Sequence, residues 1–168
     1  MRMDVSLQQI HDLIRQGEGI SLEFKSCRSQ LSRDVYGTVC AFLNRHGGTI
    51  LLGVQDDGTL QGIEPDAVSQ IKKDFVTAIN NPLKLTPPTY LSVDVIELDE
   101  KFFLRIYVPE SSQVHRCNGR IYDRNEDGDL DITDHTPLRW RISTSANRQR
   151  SAKTRYTPGF KLMTFVRN

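Results

Sequence analysis

One stretch constrains this chain more than any other: VCAFLNRHGGTILLGVQDDG, running from Val39 to Gly58. Leu31, Val35, Val39, Phe42 and Leu43 recur at helical spacing, which predicts a helix over residues 31–46. Gly47 supplies its stop, because the residue after a helix often turns left-handed and only glycine does so freely. TILLGV, residues 49–54, then carries apolar side chains at successive positions. A strand of that kind is buried on both faces, so it belongs inside a sheet with material packed on each side. Helix, glycine stop and interior strand in direct succession point to a sheet covered by helices.

The other patterns fill in around that centre. Residues 6–16 are amphipathic through Ile10, Leu13 and Ile14, with Ser6 placed to cap the helix and Gly17 to end it. SLEFKS, residues 21–26, alternates as a short strand, Leu22 and Phe24 on one face and Glu23 and Lys25 on the other. Asp57-Gly58 is a turn signal, after which TLQGI is expected to pair back. Residues 65–80 read as a second strong helix through Val68, Ile71, Phe75 and Ile79. Pro82, Pro87 and Pro88 mark a loop. YLSVDVIEL and KFFLRIYV both alternate and flank Asp99-Glu100, the pattern of an antiparallel hairpin, and GRIYDR is a further short strand. The fold class expected is therefore α/β in the broad sense and α+β in detail: a mixed, largely antiparallel sheet with packed helices. One domain is expected over residues 1–134, followed by a basic C-terminal tail, residues 135–168, extended, swapped or leading into a further domain.

Composition narrows the function classes. A chain of 168 residues is long enough for one well-buried core. No apolar run approaches the length needed to span a bilayer, so no membrane role is expected. Cys27, Cys40 and Cys117 are odd in number and lack metal-like spacing, which suggests free thiols and a cytoplasmic location. The net charge of +1 hides an asymmetry. After Asp134, the last acid, come Arg139, Arg141, Arg148, Arg150, Lys153, Arg155, Lys161 and Arg167, so the rest of the chain is net acidic. A basic segment of this kind often meets phosphate, although a plainly solvated terminus has the same composition.

The segments LEFK, AFLN with Gly47-Gly48, and Gly-Val-x-Asp-Asp-Gly, in that order and followed by FFLRIYVPESS, resemble the Schlafen-type AlbA-like domain (AlbA_2). The resemblance runs from about Gln16 to about Thr133. It implies an α/β fold and a nucleic-acid role, as the DNA-binding module of bacterial transcriptional regulators that continue into other domains. In Schlafen-type ribonucleases two nearby glutamates and an aspartate of the Gly-Val-x-Asp-Asp segment are the catalytic acids, and the positions matching them are Glu18, Glu23 and Asp57. No Gly-x4-Gly-Lys-Ser/Thr loop is present, so no ATP is expected.

Three constellations carry candidate chemistry. If the strands bearing Glu23 and Asp57 are neighbours, Glu18, Glu23 and Asp57 would converge on a Mg²⁺ or Mn²⁺ ion able to activate water. Against this, Asp56-Asp57-Gly58 is also what a tight turn requires on conformational grounds alone. DRNEDGDLDITD fits a calcium-loop pattern through Asp123, Asn125, Asp127 and Asp129, with Asp134 at the twelfth position, or else an acidic surface turn. Lys25, Arg45, Arg116, Arg120, Arg124, Arg139 and Arg141 form a basic set suited to salt-dependent contacts with a nucleic-acid backbone, for which no cofactor is required. Arg45 and His46 also complement a helix C-terminus. His115 and Cys117 lie too close in sequence for a nucleophilic pair, and Cys40 reads as core. Trp140 suits either a base or the domain's own apolar surface. The function expected is a nucleic-acid-binding domain of a transcriptional regulator. The alternatives are a metal-dependent endoribonuclease and an oligomerisation or protein-interaction module, with a homodimer the simplest assembly.

Overall fold

The computed structural model describes residues 7–135, and the expectations for Ser6, Arg139, Trp140 and Arg141 lie outside them. Helix α1 (Leu7–Gln16) leads to strand β1 (Leu22–Lys25), helix α2 (Val35–Asn44) and strand β2 (Gly48–Leu52). Helix α3 (Pro65–Ile79) and the two-residue strand β3 (Leu85–Thr86) follow. The remaining strands are β4 (Val93–Leu98), β5 (Lys101–Val108), β6 (Arg116–Cys117), β7 (Tyr122–Asn125) and β8 (Gly128–Asp131). The main sheet has the order β1-β2-β5-β4, with β1 and β2 parallel and the other two pairs antiparallel. β3 pairs with β6, and β7 with β8, as separate two-stranded ribbons. This is the α+β fold expected: among the described residues, three helices pack on a mixed, largely antiparallel sheet.

The apolar residues of 49–54 explain the layering. Ile50 and Leu52 face α2 and α3, joining Val39, Phe42, Leu43, Phe75, Leu104 and Ile106 in one core. Leu51 points the opposite way, towards Ile10 of α1, with Leu22, Phe24 and Phe103. A strand with helices on both faces has no solvated side, which is why its sequence does not alternate in polarity.

Gly47 and Gly48 are scaffold. Gly47 has φ +74° and its N–H donates to Phe42 O at 2.9 Å, closing α2. A Cβ at Gly47 would lie 2.5 Å from Val108 O, and one at Gly48 would lie 2.8 Å from the Phe42 ring. The hairpin between β4 and β5 turns at Asp99 and Glu100, both with positive φ, as its alternation required.

Two boundaries differ from the sequence reading. α2 begins at Val35 rather than Leu31, because residues 27–30 form a turn held by Cys27 Sγ donating to Gln30 O and by Glu64 N–H donating to Arg28 O. Leu31 still packs on the core from that turn. TLQGI does not form a strand; it returns through isolated bridges, Val54 to Leu60 and Ile63 to Phe102, and a Gly62 N–H bond to Gly53 O.

Candidate nucleic-acid interface and the buried charge cluster

β1 alternates as expected, but its charged face is not open to water. Leu22 and Phe24 point to α1, so Glu23 and Lys25 lie on the α2 side, opposite Ile50 and Leu52. Glu23 is 5% exposed. Its Oε2 accepts Arg124 Nη2 at 2.6 Å and its Oε1 meets Lys25 Nζ at 2.6 Å. Lys25 Nζ also reaches Asp34 Oδ2 at 2.9 Å. Arg124 comes from β7 and its side chain is wholly buried. It donates to Asp129 Oδ1 at 2.9 Å and to Gly19 O at 2.8 Å, and its Cζ stands 5.0 Å from the centre of the Phe42 ring. Asp129 completes its shell with the Thr38 hydroxyl at 2.5 Å. The result is an alternating row: Asp129, Arg124, Glu23, Lys25, Asp34.

The pKa directions follow from that row. Burial opposes the charge on Lys25 and on Arg124, yet neighbouring carboxylates outweigh it and hold both above their ordinary values. For Asp34 burial pulls upward, but hydrogen bonds from Ser32 and Lys25 and the Lys25 charge hold its carboxyl below the usual range.

A second set of polar contacts pins the segment from His115 to Tyr122 on α2. Asn44 Nδ2 donates to His115 O at 3.0 Å and Tyr122 O at 2.8 Å, while its Oδ1 accepts His115 N–H at 2.7 Å. Cys40 Sγ donates to His115 O, and burial pushes that thiol up to about 12. His115 Nδ1 lies 2.8 Å from Pro87 O and Nε2 lies 2.7 Å from Ser111 Oγ. A carbonyl only accepts, so Nδ1 carries the proton and Nε2 accepts the Ser111 hydroxyl. Burial lowers the His115 pKa. These features set His115 in the core as a neutral strut.

The three acids matched to the ribonuclease positions have separate duties. Glu18 Oε1 accepts the Phe24 N–H at 2.8 Å, satisfying an edge group of β1. Its pKa is raised, first by burial and then by the charges of Glu23 and Asp56, against the Phe24 bond. Asp57 is fully exposed, and its Oδ1 accepts Thr59 N–H at 2.9 Å within its own turn. The turn beside Asp57 thus bears on Glu18 through the charge of Asp56. Among the described residues no three His, Cys, Asp or Glu side chains are grouped to hold a metal ion. The donor set also does not fit a divalent cation. Both oxygens of Glu23 already face cations, Lys25 and Arg124, and a third positive centre there would meet repulsion at close range.

The calcium-loop pattern is a tight β-hairpin. β7 and β8 pair from Tyr122 with Asp131 to Asn125 with Gly128, and Glu126 at the turn has φ +54°. Strand alternation sends its acids to different sides instead of wrapping them around one point. Asp123 accepts both Arg45 Nε, at 2.7 Å, and Arg45 Nη2. Asp129 takes Arg124, and Asp131 takes Arg120 at 2.5 Å. Hydrogen bonds from Thr133, then the one from Arg120, hold Asp131 down at about 2. Asp127 and Asp134 stand exposed, and Asn125 is exposed at the hairpin end.

The basic set divides accordingly. Arg124 is corrected from a phosphate contact to a core residue, because its guanidinium has no exposed surface and three kinds of partner. Lys25 is mostly buried between Glu23 and Asp34, and Arg45 is held by Asp123. Arg120 is exposed but bound to Asp131. Arg116 donates to Gly119 O at 3.1 Å and has no carboxylate partner among the described residues' ion pairs. Asn44, Thr38 and His115 were not singled out for these roles from sequence. A lone amide on an otherwise apolar helix was the available signal for Asn44.

This geometry defines a class: an α+β domain whose C-terminal hairpin is fastened to its sheet and central helix by buried charges. A family model described as Schlafen, AlbA_2 matches residues 18–133, and the chain belongs to that family. The fold is also similar to the DIP2311 protein of Corynebacterium diphtheriae, at 16% identity and TM-score 0.55 over 75% of this chain. The match spans 29% of the DIP2311 chain, less than a third of its length. The N-terminal domain of a RecG-related ATP-dependent DNA helicase protein from Nitrosomonas europaea matches at 25% identity and TM-score 0.46, covering 60% of this chain and 72% of that one. No helix among the described residues is long and apolar enough to cross a membrane.

Proposed function

We propose that this chain is a nucleic-acid-binding domain of a bacterial transcriptional regulator, acting in the cytoplasm within a longer protein. Membership in the Schlafen AlbA_2 family over residues 18–133 carries the reading. Binding is to the phosphate backbone through Lys and Arg, so it is strongly salt-dependent and weakly sequence-specific. No divalent ion takes part, in keeping with the occupied carboxylate of Glu23. The test is fluorescence anisotropy of the full chain with a labelled DNA duplex and a labelled single-stranded RNA, at 50 to 200 mM salt taken as a span of roughly fourfold, with Mg²⁺ or EDTA. Binding that weakens steeply with salt and ignores Mg²⁺ supports the reading. Absence of binding to both probes at the lowest salt overturns it.

A further inference from the structure

Residues 7–135 are net acidic, with 20 Asp and Glu against 13 Lys and Arg, and seven of those cations sit in ion pairs with neighbouring carboxylates. One corner has the opposite character. No acid occurs between Asp74 and Asp94, nor between Glu110 and Asp123, and these two stretches carry Lys84, Arg116 and Arg120. The fold lays the two stretches side by side. β3 and β6 pair Leu85 with Cys117 and Thr86 with Arg116. Lys84 O accepts Asn118 N–H at 2.8 Å, and Pro87 O accepts the His115 ring N–H at 2.8 Å. Leu85 and Cys117 are buried, so strand alternation turns Thr86 and Arg116 outward. Lys84 Nζ stands 4.6 Å from the centre of the Tyr36 ring. Neither Lys84 nor Arg116 takes part in an ion pair among the described residues. Two acids border the corner: Asp131, which Arg120 holds, and Asp74, whose charge reaches Tyr36.

The same corner carries the two most exposed large apolar side chains among the described residues, Leu83 at 86% and Tyr90 at 89%. Their loop is a built one. Asn81 Oδ1 accepts Leu83 N–H at 2.9 Å, the Thr86 hydroxyl donates to Pro82 O, and Thr89 N–H donates to Ile79 O at 3.3 Å. Tyr90 follows Thr86 by four residues, at most about 14 Å of chain, so ring and cations lie within reach of one short stretch of polymer. An acidic protein segment and a polynucleotide both suit the charge, but a bare aromatic ring beside cations on an acid-free surface suits an unpaired base with its phosphates best.

We propose that the corner formed by the 81–90 loop and the β3–β6 ribbon binds an unpaired stretch of polynucleotide, with Tyr90 stacking on a base and Lys84 and Arg116 meeting its phosphates. This inference rests on the nucleic-acid reading above and names the surface and the strand state that it uses.

The test compares two full-length variants, each lacking one aromatic ring and one cation. The corner variant carries Tyr90→Ala and Arg116→Gln. The control carries Tyr107→Ala and Arg15→Gln, at exposed positions on the sheet face that α1 covers in part. Binding to single-stranded DNA and single-stranded RNA of one sequence, and to the matching duplex DNA, is followed by fluorescence anisotropy over a salt series. The corner variant is expected to lose at least about fivefold in affinity for a single strand through the ring. It should also lose about 0.7 in the slope of log affinity on log salt through the cation. The control is expected to stay within about twofold on every probe, and Tyr90→Phe alone, which keeps the ring, should bind single strands as the unmodified chain does. Equal loss on DNA and RNA single strands assigns the site to the shared base and phosphate; loss on one alone assigns it to that polymer. The inference is overturned, and the nucleic-acid reading stands, if the chain binds only the duplex, if both variants weaken equally, or if the corner variant binds single strands unchanged. Unchanged binding together with a fall from dimer to monomer in sedimentation gives the corner to a second copy instead. If the unmodified chain binds no probe, the nucleic-acid reading fails and this inference with it.

Discussion

Arg124 and Glu23, 101 positions apart, meet at 2.6 Å, with the guanidinium entirely and the carboxylate almost entirely out of water. The pair joins β7 to β1 and so fixes the hairpin against the sheet edge. Removing one partner leaves the other charged and buried, which costs about 3–5 kcal/mol. Arg124→Met is therefore expected to lose that much in urea denaturation. The double variant Arg124→Met, Glu23→Met should recover part of it, because Lys25 keeps Asp34, while Asp129 loses its cation and keeps only the Thr38 hydroxyl. A single-variant loss below about 1 kcal/mol would contradict the buried pairing.

Asn44 holds three backbone groups at once, two as donor and one as acceptor. Asn44→Ala is expected to cost about 2–4 kcal/mol, more than one ordinary hydrogen bond, because several buried groups lose their partner together. Amide exchange should accelerate at His115, whose N–H loses its acceptor, while exchange in β5 changes only with global stability.

His115 gives the domain a pH dependence of known sign. Its folded pKa is below the ordinary 6.5, so the unfolded chain takes up a proton first as pH falls. The stabilisation is complete above about 6.5 and declines through the window beneath it, down to the folded value. Urea midpoints should therefore drop as the pH falls below about 6.5. In His115→Gln that part of the slope should disappear. An unchanged slope in the variant would show that other groups carry it.

Gly47 and Gly17 share a left-handed backbone, with φ +74° at each, but not their surroundings. Gly17→Ala meets nothing within 4 Å and is expected to cost only the backbone preference, about 1 kcal/mol. Gly47→Ala drives a methyl against Val108 O and should cost about 2–4 kcal/mol, backbone preference plus overpacking. Thermal unfolding of the two variants side by side makes the comparison.

Glu18 separates an edge-capping role from one that needs its negative charge. Glu18→Gln keeps an acceptor for Phe24 N–H and removes a partly buried charge beside Glu23 and Asp56. It should leave stability unchanged or slightly raised near neutral pH. Glu18→Ala, which leaves the N–H unpaired, should lose about 1 kcal/mol. A Gln variant less stable than the Ala variant would overturn this assignment.

The sequence by itself determined the helices α1, α2 and α3, the main-sheet strands β1, β2, β4 and β5, and their layering. Ile50, Leu51 and Leu52 had to be interior because no face of that strand is polar. Gly47 and Gly48 had to be backbone devices because nothing larger fits a helix stop running straight into a buried strand. Periodicity reports such facts because it depends only on which side of an element meets water. Charge pairing has no period, and it was decided only by tertiary structure. Glu23 and Lys25 read as a solvated strand face until β7, a hundred residues later, laid Arg124 across them. Asp123 and Asp129 suited a calcium loop or an acidic surface turn until strand alternation turned one to Arg45 and the other to Arg124. A carboxylate in a sequence is equally fit for an ion, a turn or an arginine, and only the distance to its partner selects among them.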